Sequence, residues 1–281
     1  HYGNVARAAE EVNITASAAS HQLAKLEKEL GCLLFNRSPK GMTLTLVGEN
    51  YLKEISPLLL GLTQASTRLG NEKARSALRI HCAPSFGLLW LLPRLHKFRE
   101  RYPAIQVTLS CSYENLSFSR DNIDIAVRHG FPDWKSLEVK TIRHEKMSVL
   151  ASPDYLIKHP VATPAELINH ALILSESPLI QWPQWFAAMQ LAQPTKDWLF
   201  RFDRSYMSLE AARLGHGVVF ESELLAAEYL RSGTLVRVFG DECSLPVNAH
   251  HLVWPRGFAR FPRVSHFLQW SSEQLEASPP A

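Results

Sequence analysis

Residues 14 to 30, ITASAASHQLAKLEKEL, gather short hydroxyls and alanines at one end and leucines with charges at the other. With Thr15 as N-cap, a 3.6-residue period puts Ala19, Leu23, Leu26 and Leu30 on one stripe, the side expected to be buried. Ser17, Ser20, His21, Ala24, Lys25 and Lys28 fall on the other side. Short and cationic side chains in such a row suit close approach to a polyanion. Hydroxyl and imidazole groups can read base edges while lysines meet phosphates. An ordinary solvated helix face has a similar composition, so the flanking segments decide between the two.

Upstream, Asn4 is placed to cap a short helix whose Val5, Ala8, Ala9 and Val12 fall at i, i+3, i+4 and i+7. Asn13-Ile14 then makes a very short break. Two helices joined by so tight a turn, the second with a small polar leading edge, form a helix-turn-helix that sends its second helix into the major groove. Downstream, GCLLFNRSPKGMTLT reads as a helix stop at Gly31 followed by a hairpin around Ser38-Pro39-Lys40-Gly41. Such a hairpin is a wing, with Arg37 and Lys40 placed for phosphates.

The run from Val5 to Glu49, VARAAEEVNITASAASHQLAKLEKELGCLLFNRSPKGMTLTLVGE, resembles the winged helix-turn-helix of the LysR-type transcriptional regulators. The shared pattern comprises two alanines, a T-x-S-A-x-S-x-Q start followed by a hydrophobic residue, L-E-x-x-L-G, L-F-x-R and L-T-x-x-G. The resemblance implies double-stranded DNA as partner, with Thr15, Ala16, Ser17, Ser20, His21, Lys25, Arg37 and Lys40 on the DNA side. That family has one more helix before this motif. The chain starts at His1 without an initiator methionine, so a fragment lacking that helix is expected, with weakened DNA affinity.

A chain of 281 residues leaves room for a small head and one or two larger lobes with their own cores. A net charge of +3 neither demands nor opposes a nucleic-acid partner. No run is apolar enough to span a membrane and the N-terminus has no signal-peptide pattern, so the expected location is the cytoplasm. The four cysteines, Cys32, Cys82, Cys111 and Cys243, have neither CxxC nor zinc spacing. They read as reduced core residues, with no redox role expected. His250-His251 are adjacent on a strand and point to opposite faces, a poor chelate; no metal and no cofactor are expected.

From Thr45 to about Leu69, Leu52, Ile55, Leu59, Leu62 and Leu69 recur at alternating spacings of three and four, a coiled-coil seam. Pro57 inside it is expected to kink or loosen the rod. The resemblance makes Leu52, Ile55, Leu59 and Leu62 a homodimer contact, implies pairing of dimers into a homotetramer through the sensor lobes, and allows RNA polymerase as a further partner. The expected organisation is a winged head over 1–45, a linker helix and hinge over 46–77 with the polar stretch 70–77 as linker, and an effector domain over 78–281.

Beyond the linker the period changes. LRIHCA (78–83), IQVTLSC (105–111) and IDIAVRHG (123–130) are strand-like, with the amphipathic FGLLWLLPRLHKFRERY between the first two. This is α/β architecture with a parallel sheet. KMSVLAS ends a first set. WLFRFD and GVVFES are strands of a second, with helices near SLEAARLG and ELLAAEYLRSG, and AHHLVW returns to the first. Two lobes joined by two crossings resemble the type 2 periplasmic-binding-protein fold that the family uses to bind effectors. Lobe 1 is expected over 78–151 and 247–281 and lobe 2 over 152–246.

A nucleotide-binding enzyme is the competing class. Gly215-His216-Gly217 does not complete G-x-G-x-x-G and precedes a strand, and no P-loop, G-x-S-x-G or H-E-x-x-H occurs, so no catalytic residues are assigned. A solute-binding protein without a transcriptional role is the other alternative. In a two-lobed α/β protein the ligand lies between the lobes, just beyond the strand ends. The candidates are Ser85 and Phe86 after the first strand, Arg128 and His129 after the third, and Asp203, Ser205, Phe220 and Glu221 in the distal lobe. Ser85 and Ser205 have a plain alternative as helix caps, Asp203 as a cap and Arg128 as an ion-pair partner. Ser85 with Arg128 would hold a carboxylate, and Asp203 with Glu221 an ammonium group, so a small carboxylate, above all an amino-acid-like one, is the expected effector. Within the family the PSF, W-L-x-P-R-L, D-I-A-V-R and FDRS…EAARLGHGVVFES segments look most like the branch holding the glycine-cleavage activator and the beta-lactamase regulators.

Overall fold

The computed structural model describes residues 5–11, 13–38, 41–69, 77–114, 116–118, 121–142, 145–194, 198 and 200–276. They form two compact units, His1–Gly70 and Asn71–Ala281. No helix among the described residues is long and apolar enough to cross a membrane.

In the first unit, α1 (Val5–Glu11) and α2 (Ala16–Leu30) precede a hairpin of β1 (Phe35–Ser38) and β2 (Gly41–Leu44), then α3 (Leu46–Leu69). Asn13 turns the chain with φ 55°, a left-handed conformation that asparagine tolerates, and the Ile14 N–H closes α1 on the Ala9 carbonyl at 3.0 Å. Thr15 caps α2, its hydroxyl accepting from the Ala18 N–H at 3.2 Å. Asn4, Val12 and the hairpin tip at Pro39 and Lys40 lie outside the described residues.

Two features of α2 differ from the periodic expectation. Ala19, Leu23 and Leu26 are only half-buried and Leu30 is 40% exposed, while Leu34, beyond the left-handed turn at Gly31, is buried. The buried residue of the helix is Glu27, whose Oε1 accepts from the backbone N–H groups of Leu34 at 2.8 Å and Phe35 at 3.0 Å. A carboxylate receiving two buried donors fixes where the wing begins. Gly48 seals the other side: a Cβ there would lie 2.0 Å from the Leu34 carbonyl oxygen, so only glycine lets α3 approach this close. Pro57 does not divide α3, which is a single helix from Leu46 to Leu69. The carbonyl that Pro57 deprives of a donor belongs to exposed Lys53, where water can satisfy it. Of the expected linker, residues 70–76 lie outside the described residues and Ala77 opens a strand.

The second unit holds two sheets. β3 (Ala77–Cys82), β4 (Gln106–Cys111), β5 (Ile125–His129) and β6 (Leu137–Thr141) join β13 (His250–Pro255) in the order β4-β3-β5-β13-β6. β3 pairs in parallel with β4 and β5, whereas β13 runs antiparallel to β5 and β6, so the sheet is mixed rather than wholly parallel. After β3 the expected helix is broken into α4 (Pro84–Phe86), a π turn (Gly87–Leu91), a 3-10 turn (Leu92–Arg94) and α5 (Leu95–Arg101). Pro93 has no N–H to continue the α pattern there.

The distal sheet consists of β7 (Glu145–Ala151), β8 (Leu172–Ser175), β9 (Phe200–Phe202), β10 (Val218–Ser222), β11 (Val236–Arg237) and β12 (Leu245–Val247). Its helices are α6 (Pro153–Lys158), α7 (Trp182–Ala188), α8 (Ser205–Arg213) and α9 (Glu223–Arg231). KMSVLAS is expected to close lobe 1, but β7 lies inside the distal sheet. It pairs antiparallel with β10, Val219 opposite Leu150, so the crossing falls before Glu145 instead of after Ala151. The distal core is aromatic: Trp182, Trp185, Phe186 and Phe220 interlock, and the indoles donate to the carbonyls of Ile173 at 2.9 Å and Cys243 at 2.8 Å.

The chain's last helix, α10 (Pro262–Glu276), returns to the first sheet, where Phe267 and Trp270 pack edge-on against Phe98 of α5. An ion pair pins its start. Arg263 Nη2 lies 2.7 Å from Asp124 Oδ1, both side chains buried, while Asp124 Oδ2 accepts from the Arg79 N–H at 2.9 Å. Cys111 departs from the expected core role: it is exposed, whereas Cys82 and Cys243 are buried.

Candidate functional site

Along α2, Thr15, Ala16, Ser17, His21 and Lys25 are exposed and Ser20 is half-buried, so the small leading edge faces outward as a continuous strip. Nothing bulkier than His21 projects from its first turns, which lets the helix backbone approach a groove closely. The hydroxyl of Thr15 is engaged as the cap, and Lys25 lies 4.0 Å from Glu29 in an exposed pair. The Arg37 side chain and Lys40 lie outside the described residues.

In the second unit the strand ends of the two sheets face each other across a cleft. From the first lobe come Ser85, Tyr113, His129 and His250. From the distal lobe come Glu145, Ser177, Ser205, Glu221 and Ser222. The geometry therefore brings together four of the eight predicted residues: Ser85, His129, Ser205 and Glu221.

The other four go elsewhere. Phe86 is buried and stacks on Trp90 at 4.9 Å between ring centres. Phe220 belongs to the aromatic core of the distal lobe. Arg128 donates to the Leu116 carbonyl at 3.1 Å, with its guanidinium over the rings of Phe118 and Trp134. Asp203 is exposed and pairs with its neighbour Arg204 at 2.7 Å, caps nothing, and leaves Arg204 as the N-cap residue of α8. Neither serine is a cap either. Ser85 sits inside a turn capped by Ala83, and its Oγ accepts from the Tyr206 N–H across the cleft at 3.4 Å. Ser205 shares a hydrogen bond with Ser177 at 2.9 Å.

Two carboxyls dominate the floor. Glu145 accepts from Ser222 Oγ at 2.6 Å and pairs with His250 Nδ1 at 2.9 Å. Burial pushes its pKa up, but the combined pull of His250, the Ser222 hydroxyl and His129 outweighs it and holds the group below the ordinary carboxylate range. Glu221 is fully buried and burial raises its pKa, opposed by the hydroxyls of Ser175 and Ser205 and the Ser222 N–H. Its Oε2 accepts from that N–H at 3.0 Å, and Oε1 has no aligned partner. His129, whose ring lies 4.9 Å from that of His250, is held down at about 4, first by burial and then by the charge of His250.

Sequence reading does not single out Glu145, His250 or Ser177 as cleft residues, whereas Ser222 ends the Phe220-Glu221-Ser222 segment that follows GVV and lies in the cleft as that segment's position suggests. One signal is available: Glu145 and His250 are each the first residue of a largely buried strand, where a polar side chain at a strand mouth invites a partner. His250 and His251 do point apart, since His251 bonds instead to the Gly130 carbonyl at 2.9 Å and Thr141 Oγ1 at 3.0 Å. Among the described residues no group of three His, Cys, Asp or Glu side chains could hold a metal ion.

Comparison with known proteins agrees with this geometry. Residues 1–49 match the model of the bacterial regulatory helix-turn-helix protein, lysR family, and residues 71–276 that of the LysR substrate binding domain. The HTH-type transcriptional regulator PerR of Escherichia coli K12 is 36% identical over 274 residues, covering 97% of this chain and 91% of that protein. The glycine cleavage system transcriptional activator of the same strain is 32% identical over 265 residues, 94% of this chain and 86% of the relative. The solved effector domain of the regulator AmpR of Pseudomonas aeruginosa superposes with a TM-score of 0.60 at 28% identity, covering 72% of this chain and 96% of that one. A lysR-type head joined to such a domain separates the chain from solute-binding proteins. The chain belongs to the LysR family of DNA-binding transcriptional regulators, with a winged head for DNA and a two-lobed domain for a small-molecule effector.

Proposed function

We propose that the chain is a cytoplasmic regulator, not an enzyme, whose α2 reads bases through Ser17, Ser20 and His21 while Lys25, Arg37 and Lys40 meet phosphates. The exposed small edge of α2 supports this reading. His21→Ala should narrow the affinity ratio between operator and random DNA. Lys25→Ala should weaken binding to both about equally and flatten the salt dependence by about one unit of slope. Fluorescence anisotropy over a salt series separates the two, and equal losses on both DNAs for His21→Ala would refute the assignment.

We infer that α3 carries the homodimer contact. Leu52 and Leu62 are 46% and 65% exposed on the seam that also holds Ile55 and Leu59, and two half-sites on DNA call for two heads. Leu62→Asp should halve the mass seen by light scattering at low concentration, since a carboxylate in an apolar seam loses its hydration. An unchanged mass would place the contact elsewhere.

For the effector we propose an amino-acid-like zwitterion. The observation that carries it is Glu221: a buried carboxyl with one oxygen lacking an aligned partner, in a cleft whose described lining holds no lysine or arginine. An ammonium group satisfies that oxygen, whereas a plain dicarboxylate brings no donor to it and meets the ionised Glu145 with like charge. The ligand's carboxylate is received at the start of α8, where Ser205 and Ser177 offer hydroxyls and the helix dipole favours an anion. At about 100 times its dissociation constant such a ligand adds roughly 2.7 kcal/mol to stability. In a thermal-shift screen of amino acids against simple organic acids, Glu221→Gln should abolish most of the gain for amine-bearing ligands. An undiminished gain would overturn the ammonium site.

A further inference from the structure

We propose that Cys82 and Cys111 form an oxidisable thiol pair, which a hydroperoxide converts into a disulfide within one subunit. Cys82 ends β3, Cys111 ends β4, and the parallel register sets them opposite each other. Neighbouring strands lie about 4.8 Å apart, inside the roughly 4.4–6.8 Å between Cα atoms that a disulfide spans. The two Sγ atoms are already 3.6 Å apart.

The backbone makes room for them. Gly87, on the π turn that follows β3, faces both sulfurs: a Cβ there would meet Cys111 Sγ at 2.7 Å and Cys82 Sγ at 2.8 Å. Any other residue would push the pair aside, so the glycine and the two thiols form one packed unit.

The two thiols are unequal, as a reactive and a resolving cysteine must be. Cys111 is exposed and Cys82 buried, so a peroxide reaches Cys111 first. The hydrogen bond from the Cys82 thiol holds Cys111 down at about 7, against the opposing effect of burial. That same contact, with burial, raises Cys82 and keeps it protonated. A thiol that titrates near ambient pH combines a large thiolate fraction with undiminished nucleophilicity.

The chemistry balances. The Cys111 thiolate attacks one peroxide oxygen, the O–O bond breaks, and hydroxide or alkoxide leaves, giving a sulfenic acid. The Cys82 sulfur then attacks Cys111 Sγ while its proton goes to the departing hydroxyl. The S–O bond breaks, the S–S bond forms and water leaves. Two thiols lose two electrons and the peroxide gains them. The disulfide would tie together the strand ends that carry Ser85 and Tyr113 into the cleft.

Treating the reduced chain with hydrogen peroxide, then mapping peptides by mass spectrometry, tests the pair. The expected result is loss of two of the four thiols, a protein lighter by two hydrogens, a linked peptide joining positions 82 and 111, and reversal by dithiothreitol. In Cys82→Ser, Cys111 should instead gain one oxygen and be trapped by dimedone, while in Cys111→Ser position 82 should stay a thiol. Iodoacetamide labelling of wild-type Cys111 should reach half its maximal rate near pH 7. Oxidation of Cys32 or Cys243 ahead of Cys111, a sulfinic acid at Cys111 with Cys82 still free, or no thiol loss under conditions that oxidise free cysteine would each overturn the proposal.

Discussion

Asp124→Ala should cost about 3–5 kcal/mol of stability, the range for removing one partner of a buried ion pair. The loss has two parts. Arg263, buried at the start of α10, keeps its charge and loses the carboxylate 2.7 Å away, and the Arg79 N–H loses its acceptor at 2.9 Å. In a domain of this size each kcal/mol lowers the melting temperature by roughly 2–4 °C, so a fall of about 10 °C is expected. Replacing both partners at once, Asp124→Leu with Arg263→Met, should recover much of it, because no buried charge is then left alone. Calorimetry of the three proteins checks the ordering. A single variant that loses less than about 1 kcal/mol would show that the pair does not hold α10 to the sheet.

What the sequence makes legible is what local patterning controls. Thr15 announces itself as a cap, the alanines and serines behind it as a bare helix edge, and the strands of both lobes by runs of apolar residues. The site is half legible for the same reason. Ser85, His129, Ser205 and Glu221 follow or end strands, so the rule that ligands sit beyond strand ends finds them. It fails where a neighbour outside the pattern captures the side chain. Arg128 reads as an anion-binding arm, but the rings of Phe118 and Trp134 and the Leu116 carbonyl claim it. Asp203 reads as a cleft wall, and the next residue in the chain neutralises it.

Buried carboxylates are the least legible group. Glu27 looks like one more solvated charge in KLEKEL, yet two backbone donors from beyond Gly31 draw it inward. Glu145 is explained by Ser222 and His250, 77 and 105 positions away in sequence. The parallel register that places Cys82 beside Cys111 is likewise a tertiary fact, and spacing alone points to four unrelated core cysteines. In each case the missing information is the identity of a distant partner, which periodicity does not encode.

The same buried cluster should make the protein acid-sensitive through His129. Its folded-state value of about 4 lies below the ordinary 6.5, so between those limits the unfolded chain binds more protons than the folded one. Stability therefore rises with pH across that window. The contribution is complete above about pH 6.5 and is lost as pH falls through about 4. Each pH unit of the window is worth about 1.4 kcal/mol, which makes about 3 kcal/mol in all. Burial is the main cause, with the charges of His250 and His251 lowering the value further and that of Glu145 raising it. Glu221 works in the opposite direction: its raised value makes stability fall as pH climbs through the carboxylate range. The total slope mixes both, so the diagnostic quantity is a difference. His129→Gln keeps a polar side chain of similar reach but has no proton to gain. Between pH 7 and pH 4 it should lose about 3 kcal/mol less stability than the wild type in urea unfolding. Parallel pH profiles for the two proteins would mean that His129 is protonated in the folded state as easily as in the unfolded one, and that burial at the cleft floor does not set its charge.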